Sequence, residues 1–392
     1  MLRSDFLRKT AAVATVLTFD PARLAKGLAA TCSAVGPYGD LQAADARGIM
    51  LPAGFTSRVV AVSGQAVAGT GYTWHGAPDG GAAFSTSGGG WIYVSNSEID
   101  KKGGGVSALR FDSAGGITGA SRVLSNTNRN CAGGPTPWGT WLLCEEIKRG
   151  FVWEVDPHGV ALPKKRALLG RFRHEAAAVD AGRKIVYLTE DEPDGNLYRF
   201  RYQKPAKLTQ GVLEVATVGA AGHVTWTTVP DPKAVSVMTR YQVAGATVFD
   251  GAEGAWFGDG VVHFTTKGTN QVWAYDGATE TISVVYDVNT TCNPVLRGVD
   301  NVTGTPSGDI YVAEDGGDMQ VVLLGDDGSV SPFLQVLGQD TSELTGLAFT
   351  PAGDRLYFSS QRGGSSKTGI TTRSPARFVR SAGLCPRTAG SY

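Results

Sequence analysis

The sequence has no excess of charge of either sign. Its 392 residues include 36 Lys+Arg and 36 Asp+Glu, and charged residues are only 18% of the chain. This balance gives no support for a nucleic acid or an anionic membrane as partner, because both call for a basic surface. Histidine is scarce, with five residues, which argues against a zinc phosphatase built on imidazole ligands. Long apolar runs are missing, so no segment suggests a membrane span, which needs about 20 residues. Extended helical periodicity is missing too, apart from a turn or two within 160–178. Hydrophobic residues make up 42% of the chain, enough to exclude disorder. Glycine is abundant, with 53 residues, against a usual share of about 7%. Without a collagen period, that much glycine implies many tight turns and excludes a helical bundle.

The first 35 residues read as a leader. Arg3, Arg8 and Lys9 form a basic start, and a short apolar run follows from Thr10 to Phe19. That pattern fits an export signal; the alternative is an ordinary surface helix. Phe6, Leu7 and Arg8 fit a twin-arginine signal, but Ser4 follows Arg3 where a second arginine belongs. Thr31 makes the segment before Cys32 a poor lipidation site.

Residues 36–392 read as one all-β domain. Six segments share an apolar strand followed by polar residues: WIYVSNSE, TWLLCEE, IVYLTED, VVHFTTKG, DIYVAEDGG and RLYFSSQRG. Their central residues are Tyr93, Leu143, Tyr187, His263, Tyr311 and Tyr357, spaced by 50, 44, 76, 48 and 46. A period in the forties suits a four-stranded propeller blade. The spacings predict a six-bladed β-propeller with an insertion between the third and fourth blades. Companion strands VSALRFD, GFVWEVDP, LYRFRY and QVWAYD follow across turns.

The polar ends of the repeated strands are acidic. They carry Glu98, Glu145, Glu146, Glu190, Asp191, Glu314 and Asp315. If these ends line a central channel, the carboxylates repel one another unless cations neutralise them. Calcium, which takes six to eight oxygen ligands, suits such a set. Any single acid could equally be a solvated loop residue. Cys131, in RNCAGGPTPWG before a strand, is either a soft ligand for iron or zinc or a small buried residue. Trp138, Trp141, Trp153, Trp256 and Trp273 read as blade packing, Cys144 as core, and His75 as a structural histidine. His174, beside Glu175, reads as a group that orients a carboxylate. Cys292 and Cys385 are left over and are candidates for a disulfide closing the ring.

Several of these segments resemble the PhoX-type alkaline phosphatase family. They are NCAGGPTPWGTWLLCEE, GRFRHEAAAVD, YLTEDEPDGNLYRF, LPAGF at Leu51, NSE at Asn96, VDNV at Val299 and VAEDGG at Val312. The resemblance runs in order from about Leu51 to Gln361 and looks closest to shorter, actinobacterial-looking members. It implies a six-bladed propeller with a metal cluster at one end of the central channel. The cluster would hold two ferric ions and three calcium ions bridged by an oxo group. It also implies hydrolysis of phosphate monoesters outside the cytoplasm, after folded export by the twin-arginine route. The family's iron-binding cysteine falls on Cys131, and acidic ligands of the catalytic centre fall on Glu175 and Glu253. Glu98, Glu145, Glu146, Glu190, Asp191, Asp300, Glu314 and Asp315 match further acidic positions of its motifs. Ferric ions are Lewis acids able to polarise a phosphoryl oxygen.

One departure bears on activity. The family's substrate arginine, in an R-P-E segment, aligns with Gly251 of Gly251-Ala252-Glu253. A guanidinium there would grip phosphate in a bidentate way. Arg129, beside Asn130, or Arg297 could take its place. The expected protein is an exported monomer acting on a small phosphorylated substrate. The alternatives are a metal-dependent hydrolase of another class, lactonase-like or esterase-like, and a non-catalytic metal-stabilised propeller.

Overall fold

The protein is described from a computed structural model that covers residues 36–292 and 294–363, with the backbone of a strand at Pro375–Ser381. The leader and Cys385 lie outside the described residues. Strands form six antiparallel sheets of four or five strands each. Five of them are complete within 49–336, drawn from 78–127, 134–165, 174–228, 252–287 and 299–336, the last joined by Ile49–Met50. The sixth sheet takes strands from both ends of the chain: Phe55–Val62, Leu344–Phe349, Arg355–Ser360 and Pro375–Ser381.

The first strands of successive sheets lie side by side around one axis, so the molecule is an all-β propeller. Five blades are complete without Pro375–Ser381, one fewer than the expected six; the sixth sheet holds together only through that strand. Apolar side chains fill the gaps between neighbouring sheets. Val94, Val106 and Leu143 pack between the first two, and Leu188, Tyr198 and Leu142 between the next two. Burial of each such side chain contributes roughly 1.5–3 kcal/mol. The 76-residue spacing arises from a fifth strand, Val224–Thr228, and a long segment that returns from it to the next innermost strand through a single 3-10 turn at Thr239–Tyr241. The helical expectation near residue 170 reduces to one 3-10 turn, Ala167–Leu169.

The repeated apolar strands are real, but they do not line the axis. Trp91–Ser97, Trp141–Cys144, Ile185–Glu190, Val261–Thr266, Ile310–Glu314 and Arg355–Ser360 are each second from it. A strand covered on both faces reads as a continuous apolar run, which is why these repeats stand out. The innermost strands are poorer in large side chains because they crowd at the axis. A Cβ on Gly134 would fall 1.6 Å from the Ala177 carbonyl oxygen, and one on Gly254 would fall 2.7 Å from the Val302 nitrogen.

Candidate metal centre

Each innermost strand starts at the same end of the axis, and each second strand finishes there. One backbone hydrogen bond recurs six times at this pole. The N–H groups of Glu98, Glu146, Asp191, Lys267, Asp315 and Gln361 donate to the carbonyls of Ala77, Arg129, Arg173, Gly251, Gly298 and Glu343. These residues therefore occupy equivalent places in successive sheets.

A second regularity aims the side chains. Five innermost strands carry a one-residue β-bulge at their start. Four of the bulges open with a carboxylate: Asp79, Glu175, Glu253 and Asp300. A bulge re-aims a side chain that a regular ladder would turn into the sheet. Cys131 takes the matching place before Gly134–Pro135, since it lies two residues beyond Arg129 as Glu175 lies two beyond Arg173.

The result is a linked set of donors. Cys131, Glu146 and Glu175 present ligand atoms within 4.8 Å of one another, and so do Glu175, Glu253 and Asp300. Asp79, Glu98 and Glu343 form a third such group, and Asp300, Asp315 and Glu343 a fourth. Glu175, Asp300 and Glu343 each belong to two groups, so the four are parts of one cluster. Glu175 and Glu253 are buried, at 0% and 2% exposure. Burial and then the neighbouring acids hold the carboxyls of Glu175, Asp79 and Glu343 well above their usual range. The Cys131 thiol is pushed up by burial, then by Asp79 and Glu175. Oε2 of Glu175 is a buried oxygen without a hydrogen-bond partner. An orphaned buried carboxylate oxygen among like charges calls for a cation. The donors fit metal ions: a thiolate site flanked by carboxylates, and sites made of oxygen alone.

The protein supplies some positive charge itself. Lys267 Nζ lies 2.9 Å from Glu253, 3.0 Å from Asp315 and 3.4 Å from Asp300. Burial lowers its pKa, but these acids outweigh that and hold it charged. Arg173 pairs with Glu146 and, at 3.2 Å, with Asp191. Arg129 reaches Glu98 at 3.1 Å and Glu146 at 3.4 Å. Arg362 pairs with Glu98 and, at 3.0 Å, with Glu343.

Not every expected ligand belongs to the cluster. Glu145, Glu190 and Glu314 each accept the backbone N–H six residues ahead, from Phe151 at 3.2 Å, Asn196 at 3.3 Å and Gln320 at 2.8 Å. Glu145 also accepts from Asn128 N–H at 3.0 Å and Glu314 from Arg297 N–H at 2.8 Å, while Glu190 pairs with Arg240 at 3.0 Å. These three glutamates clasp the turn between second and third strands. Asp191 stands at the pole but pairs with Arg173 and joins none of the four groups. Asn130 is fully buried, and its amide donates to Thr127 Oγ1 at 2.7 Å and Gly105 O at 3.1 Å, inside the first sheet. Arg297 is exposed. His174 orients no carboxylate; its Nε2 donates to the Gly170 carbonyl at 3.1 Å while its ring packs on Phe172. His75 is held by Ser107 and Ser95, as a structural histidine would be. Cys292 is disulfide-bonded. Cys131 and Cys144 are free, so its partner lies outside the described residues, as does the expected Cys385.

Asp79, Glu343, Lys267, Arg173 and Arg362 were not singled out from the sequence. A signal for Lys267 was there: SNSE, LCEE, LTED, FTTK and VAED align on their last letter. Asp79 is the second residue of an innermost strand and Glu343 lies just before another, and the glycine-rich pattern of such strands is hard to see as strand.

Fold and site together define a β-propeller whose axis ends in a cluster of buried carboxylates and one cysteine. The sequence profile described as "Alkaline phosphatase PhoX" matches residues 116–150 and 147–364, well over half of the chain. The chain belongs to the PhoX alkaline phosphatase family. Membership places it among phosphatases and implies a metal-dependent enzyme. Its fold matches that of Pseudomonas fluorescens PhoX, solved in complex with vanadate, a transition state analogue. The TM-score is 0.69 at 19% identity, over 86% of this chain and 97% of that one. It is also similar in fold to XC5397 from Xanthomonas campestris, a gluconolactonase (TM-score 0.50, 14% identity, 88% of this chain and 98% of that one). A Bacteroides thetaiotaomicron protein of unknown function matches at TM-score 0.53 and 9% identity, over 83% of this chain and 76% of that one. Among curated protein sequences, none matches the chain.

Proposed function

We propose that the protein is an exported phosphatase that hydrolyses phosphate monoesters at an iron and calcium cluster on the propeller pole. The observation that carries this reading is the set of bulge carboxylates converging beside Cys131, with Glu175 Oε2 buried and unpartnered. Cys131, Glu146 and Glu175 would hold iron, because a thiolate is a soft donor and a poor calcium ligand. The all-oxygen groups around Asp79, Glu98 and Glu343, and around Asp300 and Asp315, would hold calcium. Ions bound there supply Lewis acidity toward the phosphoryl oxygens. The chain's part is positioning and charge. Arg129 and Arg173 stand in the places equivalent to Gly251, where the family carries its arginine. They would grip the substrate phosphate in its stead. Lys267 would balance the acids on the opposite side.

The sheet completed by Pro375–Ser381 would serve as the sixth blade and close the ring. The reading includes one propeller domain after the leader, a monomer, a small phosphorylated substrate and export by the twin-arginine route. Among the described residues, no helix is long and apolar enough to cross a membrane. Gly251 supports a second reading, a metal-dependent hydrolase of another class such as a lactonase or esterase.

The test is elemental analysis of the purified protein with p-nitrophenyl phosphate turnover on the same sample. Family membership leads one to expect about two iron and about three calcium ions per chain, and turnover lost in Cys131→Ser. Metal without phosphate-ester turnover, joined to turnover of a lactone or carboxyl ester, would favour the second reading.

A further inference from the structure

Beside the pole lies a recess of about 470 Å³ bounded by Arg149, Phe151, Ala167, Arg171, Lys233 and Val235. No acidic residue lines it. Lys165 adds a further cation, with Nζ 4.7 Å from the centre of the Phe151 ring, and the Arg171 guanidinium lies 4.2 Å from that centre. None of Arg149, Lys165, Arg171 and Lys233 takes part in a salt bridge among the described residues. Four cations gathered without counter-charge repel one another, and they do so in a chain whose overall charge is zero. At the pole itself Arg129, Arg173 and Arg362 are each paired with acids.

The recess is tied to the pole by two adjacent segments. Arg171 donates to the Arg149 carbonyl at 3.1 and 2.8 Å, and Arg173, two residues on, pairs with Glu146, three residues before Arg149. Two residues of chain span at most about 7 Å. The backbone of Arg171 and that of Arg173 are therefore within about 7 Å of each other, so the recess and the pole open off one short stretch of chain. Arg149 holds a left-handed backbone, φ +61°, an uncommon state for a residue with a Cβ. Its Nε is buried without a partner, so a donor is left over on the recess wall.

We infer that this recess is a second anion site, which takes a further phosphoryl group of a substrate whose scissile phosphate lies at the pole. The preferred substrates are then small organic bisphosphates rather than simple monoesters. The inference rests on the proposed phosphatase reading for the pole and adds the substrate class.

The test compares fructose 1,6-bisphosphate with p-nitrophenyl phosphate in the metal-loaded enzyme. Arg149→Ala and, separately, the exposed Lys233→Glu should raise KM for the bisphosphate about tenfold or more, by loss of charge-assisted contacts. kcat, KM for p-nitrophenyl phosphate and inhibition by inorganic phosphate should not move. Equal rises for both substrates, or no rise for either, would overturn the inference. If the protein turns over neither ester, calorimetric dissociation constants for fructose 1,6-bisphosphate and fructose 6-phosphate replace KM. A preference for the bisphosphate that both variants abolish would then uphold the anion site while the phosphatase reading fails. Indifference between the two ligands would sink the site itself.

Discussion

Lys267 Nζ lies 2.9 Å from Glu253 Oε1, and Lys267 holds the place in its sheet that Glu146, Asp191 and Asp315 hold in theirs. One position of the acidic ring has thus been given to a cation. The ammonium also reaches Asp300 and Asp315, so it lowers the positive charge that bound ions must supply. Its side chain is 37% exposed, and solvent screening reduces its effect. Lys267→Gln should make the fold more dependent on metal. In EDTA its melting temperature should drop about 2–4 °C further than that of the wild type, and calcium should close most of that gap. Equal losses in EDTA for both proteins would show that the ammonium plays no part in the charge balance.

The ion-free protein should weaken as pH rises. Burial holds Glu146 up at about 8, with Arg173 opposing and Glu98 adding to the shift. Glu314 is held at about 7 by burial, against the N–H bonds from Arg297 and Gln320. A carboxyl with a raised folded pKa binds its proton more tightly in the folded state. Its stabilising contribution is complete below the unfolded value, roughly 4.3 for Glu, and is lost as pH climbs through the folded value. Melting temperatures in EDTA should therefore fall between about pH 5 and pH 8. Loading the metal should flatten the part of that slope owed to Glu146, because a metal binds the deprotonated form, and should leave the part owed to Glu314 in place. A flat profile in EDTA would mean that the carboxyls are relieved in some other way.

Glu314 and Glu175 should respond differently to mutation, although both looked like ligands in the sequence. Glu314→Ala leaves the Arg297 and Gln320 N–H groups without their acceptor. The buried Gln320 N–H, left unsatisfied, costs about 1–3 kcal/mol, so stability falls while metal content per folded chain stays constant. Glu175→Gln removes a charge shared by two donor groups and should lower metal content. Elemental analysis alongside a thermal melt separates the two. Metal lost from Glu314→Ala, with the fold intact, would return that residue to the cluster.

The division between these glutamates shows where sequence reading stops. The second strands were legible because a strand buried on both faces reads as an apolar block with a regular period. The acids after them were legible as a group, but adjacent residues of a strand point opposite ways. In Glu145-Glu146 and Glu314-Asp315, the first residue turns to the hairpin and the second to the axis. Deciding which is which requires the register. The innermost strands hid for another reason. Crowding at the axis selects glycine and alanine, as at Gly134 and Gly254, and a bulge breaks the alternation where Asp79 and Asp300 enter the site. The resemblance supplied Cys131, Glu175 and Glu253, whereas nothing in local pattern pointed to Asp79 or Glu343.

Arg129 has φ +41°, in the place where Gly251 has +59° and Gly298 has +62°. Two of the equivalent residues are glycines, which take this conformation freely. An L-residue there gives up roughly 1–2 kcal/mol, as Ala77 does at φ +45° in its own sheet, and at Arg129 the side chain adds ion pairs that offset part of the strain. Its guanidinium bridges Glu98 and Glu146, one sheet along from Arg173 and two from Gly251. Two substitutions separate strain from function. Arg129→Gly removes both the strain and the guanidinium, whereas Arg129→Ala removes only the guanidinium. The glycine variant should be the more stable by about 1 kcal/mol. Both should raise KM for p-nitrophenyl phosphate about tenfold, as loss of one charge-assisted contact implies. An unchanged KM in both would reduce Arg129 to a partner of its two glutamates. The converse variant is Gly251→Arg. A Cβ there meets nothing closer than 3.4 Å, so the side chain has room, at the expense of backbone strain. It should lower KM in the Arg129→Gly background, and a failure to do so would mean that the two places do not face the same phosphate.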